Sequence, residues 1–245
     1  METEEFLSEI YKGCSEGFLT ITMLPERKTL WFKMSEIEKA LLLASKYGTK
    51  TNTFFGVGLR KKVLKNGFRG SERDILCITT LYADIDVKSE AHAQTSLPSS
   101  VDEATDFLQG LKIKPSIIVN SGNGIHGYWL LDKPFIIETE EDRKHISAIF
   151  KGFGRYVNLE AKKRGWKIDS VYDLARILRV PGTINHKLGT GAKCEVIENH
   201  DERHSISDFM QFIHSHEGVA SVSNIAQGVE KVLRKCEFIK YCKDN

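Results

Sequence analysis

Hydrophobic residues recur along this chain at two spacings. In some segments they alternate or run together, which predicts strands, and in others they recur every three to four residues, which predicts helices. Apolar or alternating runs predict strands at residues 18–24, 29–32, 51–59, 75–87, 114–120, 127–131, 168–171 and 194–197. Helical spacing predicts helices at residues 1–15, 37–48, 100–108, 139–163 and 205–213. Because strands and helices do not alternate steadily, the order predicts an α+β fold.

The longest apolar strand, residues 75–87, contains two aspartates, Asp84 and Asp86. Side chains alternate across a strand, so both carboxylates lie on one face, about 7 Å apart along the strand. Two carboxylates in an apolar setting are costly to bury unless something compensates their charge, and a divalent cation does so. The alternative is a strand edge whose acids face solvent or pair with Lys88 and Arg73.

Residues 121–126 (SGNGIH) predict a tight hairpin turn between two strands. The exposed backbone N–H groups of such a turn can bind phosphate oxygens, and His126 can donate to them. The spacing matches neither the dinucleotide-binding nor the P-loop pattern. The alternative is a hairpin that needs glycine for positive φ, with His126 only beginning the next strand.

The stretch of residues 169–187 combines acids, arginines and a Pro-Gly turn. Its charged candidates are Asp169, Asp173, Arg176, Arg179 and Lys187. Arginines bind phosphates bidentately, and an acid here could complete a metal site. The alternative is an ion-paired turn in which Asp173 pairs with Arg176 at i, i+3.

Charge and composition narrow the class of protein. The 245 residues carry a net charge of +2, yet residues 60–73 contain six Lys or Arg against one acid. Such a block fits a polyanion site, and the candidate nucleic-acid contacts in it are Arg60, Lys61, Lys62 and Arg69. No run of 18 apolar residues indicates a membrane span, and five cysteines without a CxxC pair favour a reducing, cytoplasmic compartment.

Taken together and in this order, the three motifs resemble the archaeo-eukaryotic primase superfamily, in particular the primase-polymerase domains of phage, plasmid and mobile-element replication proteins. The hhhDhD strand matches residues 82–87, the SGxGxH element matches residues 121–129, and the aRhLRhPGTxNxK signature matches residues 175–187. The resemblance covers residues 50–200 and implies a cytoplasmic location in a bacterial or phage-infected cell.

The resemblance implies an RNA-recognition-type catalytic sheet packed beside a smaller N-terminal α/β unit. It also implies template-directed nucleotidyl transfer, with two Mg²⁺ or Mn²⁺ ions, from nucleoside triphosphates onto a primer or an initiating nucleotide. Asp84 and Asp86 would hold the metals, with Asp169 as the third catalytic carboxylate and Asp173 as the alternative ligand. The implied nucleotide-binding residues are Ser121, Asn123, Gly124, His126, Arg176, Arg179 and Lys187.

The same resemblance predicts the organisation of the chain and its partners. Residues 1–214 would form the primase-polymerase domain with two interleaved subdomains, residues 215–228 a linker, and residues 229–245 the start of a C-terminal helical segment that is cut short. The predicted partners are a single-stranded DNA template, nucleoside triphosphates and a fused or associated replicative helicase. The alternative function is a catalytically weak module that binds single-stranded or origin DNA.

Overall fold

Helices and strands alternate irregularly in the computed structural model, which describes residues 3–65, 67–88, 96–169, 172–187, 189 and 191–213. The helices are α1 (Thr3–Ile10), α2 (Ile37–Gly48), α3 (Val101–Gln109), α4 (Glu140–Lys163) and α5 (Ile206–Met210). The strands are β1 (Phe18–Leu24), β2 (Lys28–Lys33), β3 (Asn52–Gly56), β4 (Leu59–Arg60), β5 (Ile75–Asp86), β6 (Ile117–Asn120), β7 (Gly124–Ile136), β8 (Ile177–Arg179), β9 (Ile184–Asn185), β10 (Ala192–Lys193) and β11 (Glu195–Asn199). The predicted α+β class is confirmed.

Most of these strands form one antiparallel sheet in the order β11-β6-β7-β5-β4-β1-β3-β8, with β2 also paired to β1. The sheet curls, since Phe55 of β3 and Tyr128 of β7 approach to 6.1 Å between ring centroids although three strands separate them in the sheet order. The curl brings β3 close to β7. The strands β9 and β10 form a separate small ladder.

The helices cover the sheet with apolar side chains. Phe6 of α1 packs edge-on against Phe55 at 5.5 Å, and Phe153 of α4 packs edge-on against Trp129 of β7 at 4.7 Å. Each of these aromatic rings buries a large apolar area, which favours folding. None of the helices that the structure describes combines the length and apolarity needed to span a bilayer.

Several predicted elements match the structure, and others are corrected. The strand at residues 18–24 has the bounds of β1, and Ser100 caps α3 by accepting from Glu103 N, as its spacing indicates. Residues 168 and 169 are not in a strand, so that half of the predicted strand 168–171 is wrong, and residues 170 and 171 lie outside the described residues. The predicted linker 215–228 and terminal segment 229–245 also lie outside them, and the domain boundaries stay a prediction.

Candidate active site

One cavity of about 370 Å³ gathers side chains from all three sequence motifs. We call it the central cleft. Its lining consists of Leu24, Asn52, Phe54, Asp84, Asp86, Ser121, Asn123, His126, Arg176, Ile177, Leu178, Arg179, Asn185 and Lys187. Its volume is in the range that small-molecule sites occupy in proteins. Segments far apart in the chain therefore meet in one place, as the resemblance implies.

The two aspartates come from the end of β5, the strand that pairs with β7. Asp84 lies opposite His126 and Asp86 lies opposite Gly124 in this ladder. A Cβ on Gly124 would lie 2.4 Å from the backbone oxygen of Ile85, so glycine permits the close approach of the two strands beside the acids. The predicted shared face is confirmed, because both carboxylates line the central cleft.

Arg176 faces Asp84 across the central cleft. Its Nη2 donates to Asp84 Oδ2 at 2.9 Å, although 92 residues separate the two in the chain. Burial lowers the pKa of Arg176, but the attraction of the Asp84 carboxylate and the hydrogen bond between them outweigh burial and raise that pKa. The pair therefore holds a guanidinium directly beside the acidic residues, at the distance expected of a charge-assisted hydrogen bond.

His126 is buried, and Tyr128 orients it. Burial is the largest influence on the pKa of His126 and lowers it, so the ring is neutral at pH 7. Its Nδ1 lies 3.1 Å from Tyr128 Oη, and its Nε2 lies 3.6 Å from Asp84 Oδ1. At 3.6 Å the Asp84 carboxylate is too far for a hydrogen bond, but its negative charge favours the tautomer with the proton on Nε2. The Tyr128 hydroxyl, whose pKa burial raises well above its usual value, then donates to Nδ1.

The hairpin turn between β6 and β7 is tied to the segment that follows β8. Asn185 Nδ2 donates to the backbone oxygen of Ser121 at 2.8 Å, and Gly122 has the positive φ of 90° that the tight turn needs. Among the described residues, Asn123 Nδ2 and Arg176 Nε are buried without an acceptor. Both belong to residues that line the central cleft, so a molecule bound there could accept hydrogen bonds from them.

The far wall of the cleft is formed by β3 and β8. Arg179 stacks over the Phe54 ring at 4.8 Å, and its Nη1 donates to Asn52 Oδ1 at 2.7 Å. Burial lowers the pKa of Arg179, but a guanidinium stays protonated at neutral pH. With Arg176 and the exposed Lys187, this wall places three cations opposite two carboxylates.

The donor set of the central cleft fits Mg²⁺ or Mn²⁺. Asp84 and Asp86 offer carboxylate oxygens, the hard ligands these ions prefer, on one face of the cleft. Within the part of the chain that the structure describes, no three His, Cys, Asp or Glu side chains cluster as a complete protein cage. Mg²⁺ is commonly held by one or two carboxylates together with water and substrate phosphates, so an incomplete cage suits it.

The two further acids lie outside the lining of the central cleft. Asp169 is exposed. Asp173 is partly buried, and its Oδ1 accepts from the backbone N–H of Ala175 at 3.1 Å. Asp173 also favours the charged form of Arg176, but the ion pair that Arg176 makes is with Asp84 and not with Asp173 as the alternative predicts. Which of these acids serves as a third carboxylate stays a prediction.

The basic block contains one clear correction. Arg60 is fully buried, and its guanidinium donates to the backbone oxygens of Gly58, Arg69 and Ala175. The prediction that Arg60 contacts nucleic acid directly is therefore wrong, because a phosphate cannot reach its buried guanidinium. Lys61, Lys62 and Arg69 are exposed, as surface contacts must be, and their binding role stays a prediction.

Three polar or aromatic residues of the central cleft are new: Asn52, Phe54 and Asn185. Asn185 lies within the signature of residues 175–187, so that motif could have predicted its place in the cleft. Asn52 and Phe54 lie in a strand without a motif, and they reach the cleft because Phe54 pairs with Arg179 in the β3–β8 ladder. That pairing has no local signal in the sequence.

Comparison with known proteins finds similarity in the fold but not in the sequence. No protein-family model and no curated protein matches this sequence. The archaeo-eukaryotic primase (AEP) domain of the cyanophage S-2L primase-polymerase superposes with a TM-score of 0.52 at 14% identity, over 86% of this chain and 96% of that one. The primase RepB′ superposes with a TM-score of 0.52 at 9% identity, over 99% of this chain and 68% of that one. The curled sheet and its helices therefore have the fold of these two primase domains.

Proposed function

We propose that this chain is a template-directed primase-polymerase that joins nucleotides in the central cleft. The observation that carries the proposal is the meeting of an acid pair, a neutral histidine donor and three cations around one cavity of about 370 Å³. The similarity to the S-2L primase-polymerase domain and to RepB′ gives the fold, and the chemistry is argued from the residues of the cleft.

The cations and donors of the cleft suit a nucleoside triphosphate. Arg176, Arg179 and Lys187 would bind phosphate oxygens, with the guanidinium groups able to do so bidentately. His126 Nε2–H and the unpartnered amide of Asn123 would donate to the same oxygens. These donors are already in place, so little reorganisation is needed when negative charge develops during transfer.

Asp84 and Asp86 would hold two Mg²⁺ or Mn²⁺ ions, which when bound supply the charge that activates the attacking hydroxyl and stabilises the leaving pyrophosphate. The Asp84 carboxylate also orients Arg176, and their hydrogen bond would hold the guanidinium beside the reacting phosphates. The neutral His126 adds no positive charge that would repel a cation. A replicative helicase as fused or associated partner remains part of this proposal.

Primer synthesis tests the proposed function directly. The purified chain is incubated with a single-stranded DNA template, labelled ribo- or deoxynucleoside triphosphates and Mg²⁺ or Mn²⁺. We expect template-dependent products that disappear when the metal is chelated. The proposal fails if no product forms under any of these conditions. DNA binding without nucleotide binding, measured by calorimetry, would then favour the alternative of a binding module.

The hydroxyl of Tyr128 gives a prediction about positioning. We expect Tyr128→Phe to weaken triphosphate binding about fivefold to tenfold, because the ring keeps its packing while His126 Nδ1 loses the partner that fixes the tautomer. Calorimetry measures the affinity, and ¹⁵N NMR of the imidazole reports the tautomer. The prediction is contradicted if the NMR signature changes and the affinity does not. Tyr156→Phe, which removes a hydroxyl bonded to Lys112 N outside the cleft, is the matched control.

A further inference from the structure

A second cavity, of about 440 Å³, opens beside the central cleft. We call it the side groove. It shares Leu24 and Ile177 with the central cleft, so the two cavities are adjacent. Its own lining includes Thr22 and Thr29, which are paired across β1 and β2. None of the sequence motifs covers these strands, and the proposed chemistry does not use them.

The side groove combines an exposed aromatic ring with positive charge. Phe68 is 67% exposed, so most of its ring is accessible to a ligand in the groove. Arg27 and Arg69, both exposed, line the groove with it, and no acidic residue is among the lining residues that the structure describes. An aromatic platform next to cations is the composition that binds single-stranded nucleic acid, because bases stack on the ring and phosphates meet the cations.

Two loops present these groups. Gly67, at a φ of +70°, would place a Cβ 3.4 Å from the backbone oxygen of Arg27, so the loop of Phe68 and the turn of Arg27 lie side by side. The buried Arg60 donates to the backbone oxygen of Arg69 at 3.1 Å and to that of Ala175 at 3.2 Å. It therefore fixes the Phe68 loop relative to the segment that carries Arg176 into the central cleft.

We infer that the side groove binds a single-stranded nucleic acid, with one base stacked on Phe68 and its phosphates held by Arg27 and Arg69. The inference rests on the proposed function only in naming this strand as the template that leads into the central cleft. An apolar protein partner is disfavoured. It would remove water from the two arginines beside Phe68, and none of the described residues that line the groove is an acid that could pair with them.

The test is the affinity of the full chain for a fluorescent oligothymidylate, measured by anisotropy. We expect Phe68→Ala to weaken binding about 5- to 100-fold, because a base–aromatic stack is lost, and Phe68→Trp to restore it. Leu42→Ala is the matched control, since Leu42 is 73% exposed and lines neither cavity. Phe68 and Leu42 are both exposed, so neither change threatens the fold.

Salt dependence gives a second, independent readout. We expect Arg27→Gln and Arg69→Gln each to reduce the slope of log K against log salt by about 0.7, the value for one phosphate contact on a single strand. Wild-type-like affinity in Phe68→Ala together with unchanged slopes would overturn the inference, and so would a wild-type chain that binds no single strand.

Nucleotide binding separates this inference from the proposed function. Phe68→Ala is expected to leave the affinity for Mg²⁺–nucleoside triphosphate unchanged, because Phe68 does not line the central cleft. If the chain makes primers while Phe68→Ala binds DNA normally and the salt slopes of Arg27→Gln and Arg69→Gln are unchanged, only the side groove is wrong. If the chain makes no primers but loses DNA binding in Phe68→Ala, the side groove stands and the proposed catalysis is wrong.

Discussion

Replacing both Asp84 and Asp86 by asparagine is expected to lower nucleotide incorporation about 10³-fold or more. Asparagine keeps the shape of aspartate, but it removes the two negative charges that would hold divalent cations in the central cleft. Losing a single preorganised charge-stabilising group in an enzyme already costs about 10²- to 10³-fold. Primer extension at saturating template, with Mg²⁺ and separately with Mn²⁺, measures the effect.

The control for this loss is another strand aspartate. Asp132→Asn changes an exposed residue of β7 that does not line the central cleft, and it should leave incorporation within about twofold. Thermal unfolding must show that the double variant folds, because Asp84 also pairs with Arg176. A folded double variant that retains a tenth of the wild-type rate would disprove the assigned role of these carboxylates.

Replacing Arg60 by methionine is expected to cost about 3 kcal/mol of unfolding free energy, or about 10 °C in melting temperature. The arginine donates to three backbone oxygens in the interior, and methionine would leave all three without that donor. Burial lowers the pKa of Arg60 to about 10, so the guanidinium is still charged at pH 7. Asp173 and Asp74 favour that charged form and offset part of the cost of burying it.

Urea unfolding followed by circular dichroism measures the Arg60→Met effect, and Lys61→Met is the matched control. Lys61 is the exposed neighbour, so its loss should change the unfolding free energy by less than about 0.5 kcal/mol. An Arg60→Met chain as stable as the wild type would show that the three carbonyls find other donors. The assigned anchoring of the Arg69 loop would then be wrong.

Local periodicity predicted much of the secondary structure. The apolar run that forms β1 and the cap at Ser100 both depend on residues close in the chain, and both are found where they were expected. The pair at Asp84 and Asp86 was likewise predictable to share a face, since it needs only the two-residue period of a strand. The resemblance to the archaeo-eukaryotic primases implied that His126 and Arg176 belong to the same site, and both line the central cleft.

The features that the sequence did not predict depend on contacts between segments far apart in the chain. Arg60 stands beside two lysines in a basic run, and such a run ordinarily indicates a solvated surface. Its burial is possible because Gly56 leaves room, as a Cβ there would lie 1.9 Å from Arg60 Nη1. The place of Phe54 in the cleft needs the β3–β8 ladder, which joins residues more than 100 positions apart.

The curl of the sheet makes the proposed catalytic groups interdependent. Strands β5, β4, β1, β3 and β8 are linked edge to edge, and the Arg176–Asp84 contact joins the last back to the first. These pairings and the Arg176–Asp84 contact form a closed ring of interactions. The strands β4, β1 and β3, from the N-terminal third of the chain, connect β5 to β8 within it. A chain that began after β3 would keep both carboxylates but lose the support that holds the arginines opposite them. The N-terminal strands are therefore part of the framework that holds the proposed catalytic residues.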